Sequence, residues 1–147
     1  MTNAYEIFKT EDNLETNGVW KEYGGVVKVK IARAGNKNTA FNKALAKAAD
    51  KYRGANPEKQ SKREIEEPWV EVYVKELIKG IQVKEGNKWV DGVHLPDAKG
   101  NIVLSEANRI NMTKFFLDLP DLFSRIKDDA NEMKTFQKEK EEEDLKN

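Results

Sequence analysis

The stretch WVEVYVKELIKGI, Trp69 to Ile81, constrains the fold more than any other part of the chain. On a helix, Trp69, Val70, Val72, Tyr73, Val74, Leu77, Ile78 and Ile81 cover most of the circumference. Only Glu71, Lys75 and Lys79 mark a narrow wet side. A helix that is apolar nearly all round has to be enclosed by other elements. The reading is therefore a central helix beginning at Lys59 or Ile65 and running to Lys79. Pro68 either opens its core part or kinks it, because proline lacks the N–H that an internal turn needs. Glu66 and Glu67 then precede that core part and favour its start through the helix dipole.

The other elements have to pack around this centre. Asn17 to Gly35 reads as a β-hairpin in which VWKEY and VVKVKIAR are joined by Gly24-Gly25, a pair able to supply positive φ at a tight turn. Val27, Val29 and Ile31 alternate with Lys28, Lys30 and Ala32, the pattern of a half-buried strand. Asn36 or Asn38 can cap a following helix to about Arg53, with Phe41, Ala44, Leu45, Ala48 and Tyr52 on its apolar face. Lys43, Lys47 and Lys51 form an i, i+4 row on another face. Gly54 ends that helix, and GANPEKQSKRE is a polar connection. Gly80 to Leu104 reads as loops with a small hairpin turning at DAKGN.

Ser105 can cap a helix from Glu106 to Leu117, and Pro120 forces a new helix near Leu119 with Asp118 as its cap. Phe115, Leu119, Leu122, Phe123 and Ile126 share one helical face, which leaves Phe116 and Leu117 for a partner. The fold class is α+β: a mainly helical single domain over 1–136, with an N-terminal β-hairpin and a loop and hairpin region before the C-terminal helices. Residues 1–13 are expected to be a flexible lead-in. Residues 137–147, which include Glu141, Glu142 and Glu143, are expected to be a charged acidic tail, frayed or disordered.

Composition narrows the chemistry. The 147 residues are 35% charged, with a mean hydropathy of −0.81, and contain no cysteine. That excludes disulfides, thiolate nucleophiles and cysteine metal sites. The single histidine, His94, cannot build a multi-histidine metal site, and without a nearby serine or cysteine nucleophile it reads as a loop residue making a hydrogen bond. A catalytic carboxylate pair needs an apolar cleft to separate its pKa values, and nearly every acid here lies on a polar face or in the tail. Asp91, Asp97 and Asn101 lack the ligand alternation of a calcium loop, and no phosphate-cradling glycine motif occurs. No catalytic, metal or cofactor residue is expected, and an enzyme is disfavoured. No apolar run is long enough to span a bilayer and no signal peptide is visible, so no membrane role is expected.

The zero net charge hides an asymmetry. Lys28 to Arg63 holds eleven Lys or Arg against two acids, Asp50 and Glu58, while the segments on either side are acidic. Such a chain can attract copies of itself, and the row Lys43, Lys47, Lys51 against Glu141, Glu142, Glu143 is the expected copy-to-copy contact. Nucleic acid on segment 28–63 is the weaker reading, because Phe41 and Tyr52 fall on the apolar face rather than among the lysines.

The order of segments carries more than any one of them. NLETNGVWKEYG leads into VKVKIARAGNKNTAFNKAL. VYVKELIKGI, WVDGVHLPDAKGN and SEANRINMTKFFLDLPDLFSRI follow, then Ala130, Phe136 and an acidic end. The series resembles the tail assembly chaperones of long-tailed, non-contractile bacteriophages, most specifically in LETNGVW…YG, ARAG and LPDLF, and it spans the chain from about Leu14 onward. The resemblance implies a non-enzymatic factor of the host cytoplasm that coats the tape measure protein and keeps its helices soluble. It also implies recruitment of tail tube protein, through a longer form made by programmed frameshifting, and absence from the finished virion. The closing Leu145-Lys146-Asn147 is compatible with a slippery heptamer in the gene. The alternatives are a virion part of the head–tail connector or tail terminator type, and a small nucleic-acid-binding regulator.

Overall fold

Two glycines start the sheet. Gly24 and Gly25 adopt φ of 60° and 72°, a region closed to most side chains, and fold β1 (Val19–Tyr23) back onto β2 (Val27–Ile31). The strands pair antiparallel from Val19↔Ile31 to Tyr23↔Val27, as the sequence predicts. The structure, a computed structural model, describes residues 3–35, 37–53 and 61–137. Asn36, the Tyr52 side chain, the connection from Gly54 to Gln60 and the tail with Glu141, Glu142 and Glu143 lie outside the described residues.

Helix α3 (Thr39–Arg53) begins at Asn38, whose side-chain oxygen accepts the Phe41 N–H at 3.1 Å. Helix α4 (Lys62–Glu76) begins at Ser61, whose hydroxyl accepts the Glu64 N–H at 3.2 Å. Glu66 and Glu67 therefore sit inside α4 rather than ahead of it, and Pro68 is an interior residue.

The central element differs most from expectation. Helix α4 stops at Glu76, and Ile78–Glu85 is a strand, β3. An unbroken apolar run satisfies a buried strand as well as a buried helix, and periodicity alone does not separate them. The partner decides: β3 lies antiparallel beside β2, with Val29 opposite Ile81 and Val27 opposite Val83. Leu77, Ile78 and Ile81 are buried as foreseen, but across a helix–strand junction. Strand β4 (Lys88–Asp91) completes a four-stranded antiparallel sheet in the order β1-β2-β3-β4.

Gly92, at φ 142°, then turns the chain into a two-stranded ribbon of β5 (Val93–Pro96) and β6 (Ile102–Ser105). A Cβ there would lie 2.8 Å from the Ser105 carbonyl oxygen, so the pivot requires glycine. The ribbon turns at DAKGN as read from sequence, the Asp97 carboxylate accepting the N–H groups of Lys99 (2.8 Å) and Asn101 (2.9 Å). The hairpin joining β3 to β4 was not foreseen.

Ser105 ends β6 and caps nothing. Helix α5 (Arg109–Asp118) is capped by Asn108, which accepts the Asn111 N–H at 2.8 Å. Helix α6 (Pro120–Asn131) starts with Pro120 in its first turn, and its cap position is Leu119, not Asp118. Asp118 instead accepts a hydrogen bond from the Arg63 guanidinium at 2.6 Å, joining α5 to α4. Because the chain turns at Leu119, the single face running from Phe115 to Ile126 does not exist. Phe115, Phe123 and Ile126 are buried, Leu122 is half-buried, and Leu119 is exposed at the joint.

The core joins all four long helices through one file of rings. Phe41 of α3 meets Tyr73 of α4 edge-on at 5.2 Å, and Tyr73 meets Phe123 of α6 at 5.3 Å. Phe123 meets Phe116 of α5 at 5.9 Å, and Phe116 meets Phe115 at 5.6 Å. The N-terminal lead-in carries two short helices, α1 (Ala4–Phe8) and α2 (Asp12–Asn17). It is tied to the far end of the described chain. Glu11 N–H donates to the Phe136 carbonyl at 2.9 Å, and the Gln137 side-chain amide donates to the Ile7 carbonyl at 2.6 Å.

Candidate partner-binding groove

The segments that carry the family resemblance turn out to be joints. In ARAG, Ala32 N–H reaches the Leu77 carbonyl (2.8 Å), Arg33 N–H reaches Glu15 (2.9 Å), and Ala34 N–H reaches Ala130 at the end of α6 (2.9 Å). The Arg33 guanidinium pairs with the Glu15 carboxylate at 3.4 Å. In LETNGVW, Gly18 stands at φ 97° with room for nothing larger, since a Cβ would come 3.1 Å from the Ile31 carbonyl oxygen. In LPDLF, Pro120 makes the turn and Phe123 enters the core. Three residues in a row just beyond β2 thus reach the α4–β3 junction, α2 and the end of α6.

The same packing fixes Tyr23. Its hydroxyl donates to Asp129 at 2.6 Å. Burial, followed by the hydrogen bond and the charge of Asp129, pushes its ionisation well above the ordinary tyrosine value. This is a structural tether between β1 and α6.

An open cleft with an apolar floor lies where α4 and α5 run side by side. Arg63, Glu67, Glu71 and Val74 follow i, i+4 and i+3 steps along α4. Ile110, Thr113, Lys114 and Leu117 do the same along α5. Between them is a cleft of about 440 Å³ with Val74, Thr113 and Leu117 at its base. Val74 and Thr113 are buried, Leu117 is half-buried, and Ile110 projects 81% exposed at the rim. The α4 wall carries both signs, Glu67 and Glu71 beside Arg63 and Lys75, and the α5 wall is basic through Arg109 and Lys114. The Arg63–Asp118 bond bridges the helices near one end.

An apolar floor between charged rims suits an amphipathic helix that buries its apolar face and keeps charged flanks at the surface. A second cleft of the same volume lies between α2 and the start of α3. Two of its charged side chains, Arg33 and Glu15, pair with each other.

Of the residues singled out for a partner, Leu117 lines the groove and Phe116 does not. Phe116 is 1% exposed and belongs to the ring file. Helix α5 is covered on two sides, by α4 and by β5, so adjacent positions 115 and 116 both turn inward. Lys43, Lys47 and Lys51 are exposed on α3, as expected, and among the described residues none of them pairs with an acid. They do not line the groove. Ile110 was missed. Its signal was present in the sequence, since a helix from Glu106 to Leu117 already puts 110, 113, 114 and 117 on one stripe.

His94 lies on β5 and bonds Glu85 at 2.5 Å across to β3. Trp89 on β4 is covered by the ammonium groups of Lys28 (4.3 Å) and Lys84 (5.4 Å). No described helix is long and apolar enough to cross a membrane. Comparison with protein-family models, curated proteins and solved structures finds no match.

Proposed function

We propose that this chain is a non-enzymatic tail assembly chaperone of a long-tailed phage, which holds the tape measure protein in solution and recruits tube subunits before the tail tube closes around it. The observation that carries the reading is the α4–α5 groove, a cleft between two helices with an apolar floor and charged rims. A tape measure protein is a long helical client, and helix-in-groove docking is the recognition mode that matches it. The segment series from Leu14 to Phe136 supports the same reading independently of the groove.

Binding of this kind works by many weak contacts along the client, each copy covering one stretch. The exposed row Lys43, Lys47 and Lys51 is positioned to take part in copy-to-copy contact with the acidic tail of the next copy. The protein acts in the host cytoplasm and leaves as the tube polymerises. Tube protein is engaged through a frameshifted longer form.

The test is co-expression with the tape measure protein of the same phage, together with mass spectrometry of purified particles. Client kept in the soluble fraction by the wild-type chain, and no chain in the virion, is the expected result. A chain found at stoichiometric levels in particles points instead to a connector or terminator role. A client that stays insoluble removes the chaperone reading.

A further inference from the structure

The ribbon β5–β6 is built asymmetrically. On its inner side Val93 and Leu95 are buried. Strand β6 carries Ile102, Val103 and Leu104 at 65%, 41% and 46% exposure, three apolar residues in succession on a strand with no second neighbour among the described residues. Edge strands are commonly guarded by a lysine, a proline or a bulge. Here the β5 side of the ribbon has Pro96, while β6 has no such guard between Gly100 and Ser105.

Register shows which backbone groups are free. The Asp97 N–H donates to the Asn101 carbonyl at 2.8 Å, so 97 and 101 form a hydrogen-bonded pair. Bonded and non-bonded pairs alternate along an antiparallel ladder. Leu95↔Val103 and Val93↔Ser105 are then bonded, while Pro96↔Ile102 and His94↔Leu104 are not. The N–H and C=O groups of Ile102 and Leu104 therefore point out of the ribbon, toward the open edge.

We propose that β6 pairs antiparallel with β6 of a second copy of this chain about a two-fold axis through Val103. Only this centring places Ile102 opposite Leu104 twice, so that the outward groups of both residues are satisfied and four hydrogen bonds form. Val103 meets Val103 as the close non-bonded pair. The result is a continuous four-stranded sheet, β5-β6 followed by the second copy's β6-β5, whose outer face collects Ile102 and Leu104 from each copy. Charge agrees with this register. The strand itself is uncharged, and Glu106 beyond its end falls opposite the second copy's Gly100, one residue from Lys99 in the DAKGN turn. A heterologous client strand would need no such self-matching. The surface is separate from the α4–α5 groove and from the lysine row, and the inference does not depend on the chaperone reading.

The test uses the purified full chain alone. Sedimentation across a concentration series is expected to show a weak, reversible dimer. Because the chain has no cysteine, Val103→Cys places a lone thiol on the axis, where facing Cβ atoms of a non-bonded pair lie about 4.5–5.5 Å apart. Mild oxidation should cross-link Val103→Cys much faster than Asn101→Cys. Leu104→Pro removes an outward N–H in each copy and leaves the β5 bonds intact. Two lost bonds correspond to roughly thirtyfold weaker dimerisation. Ile102→Lys supplies the missing guard on an exposed position and should weaken the dimer without altering the monomer. A chain monomeric at every concentration, equal cross-linking at 101 and 103, or a dimer indifferent to both Leu104→Pro and Ile102→Lys overturns the proposal.

Discussion

Ile110 and Phe116 stand on one helix of ten residues, yet the first is 81% exposed and the second 1%. Both are large and apolar, and both lie in the same stretch of sequence. The difference is positional. Phe116 falls between α4, β5 and α6, in contact with the rings of Phe115 and Phe123. Ile110 sits in the first turn, where α5 has only just emerged from the Asn108 cap and nothing overlies it. One end of α5 holds the fold together and the other end offers surface. Apolar content locates a helix, but its neighbours decide which residues remain for a partner.

Substitution at each end measures that contrast. Phe116→Ala should cost about 3–5 kcal/mol in denaturant unfolding, the range for removing a fully buried ring. A loss below about 1 kcal/mol would mean that the ring file is not the core.

Tyr23→Phe tests the tether from β1 to α6 and should cost about 1.5–3 kcal/mol at neutral pH, as for a hydrogen bond to a charged group. It also carries a pH signature. The folded state holds the Tyr23 proton more tightly than the unfolded state, where the ordinary value near 10 applies. The tether's contribution is thus complete below about pH 10 and is lost as pH rises above it. Alkaline unfolding of the wild type should steepen there, and the phenylalanine variant should show a smaller decline.

Asn108→Ala should cost about 1 kcal/mol as a lost helix cap, whereas Ser105→Ala should cost little if α5 begins where the structure places it. Equal effects would return the cap to Ser105. Smallest in stability is Ile110→Asp, expected within about 0.5 kcal/mol because the site is open to water. Its effect belongs to binding instead.

The hairpin at Gly24-Gly25, the Asn38 cap, the lysine row on α3 and the turn at Asp97 were legible because each rests on local chemistry. Helix α4 and strand β3 were fused in the sequence reading because Val70 to Ile81 is apolar under either period, and only pairing with β2 separates them. Phe116 was assigned to a partner because a single helical face was drawn through Leu119, where the chain turns. The groove was half visible. Leu117 was named, but its facing wall on α4 comes from the tertiary packing of α4 against α5. The edge of β6 was hidden within a segment read as loops, and its exposure follows from Gly92 steering the ribbon away from the main sheet.

The groove is tested most directly by amide and methyl NMR of the labelled chain, titrated with helical peptides of the proposed client, a phage tape measure protein. Shifts concentrated on Ile110, Thr113, Leu117, Glu71 and Val74, and lost in Ile110→Asp with the spectrum otherwise intact, are the expected outcome. Shifts confined to other surfaces, or unchanged by Ile110→Asp, would contradict the assignment of α4 and α5 as the client-binding site.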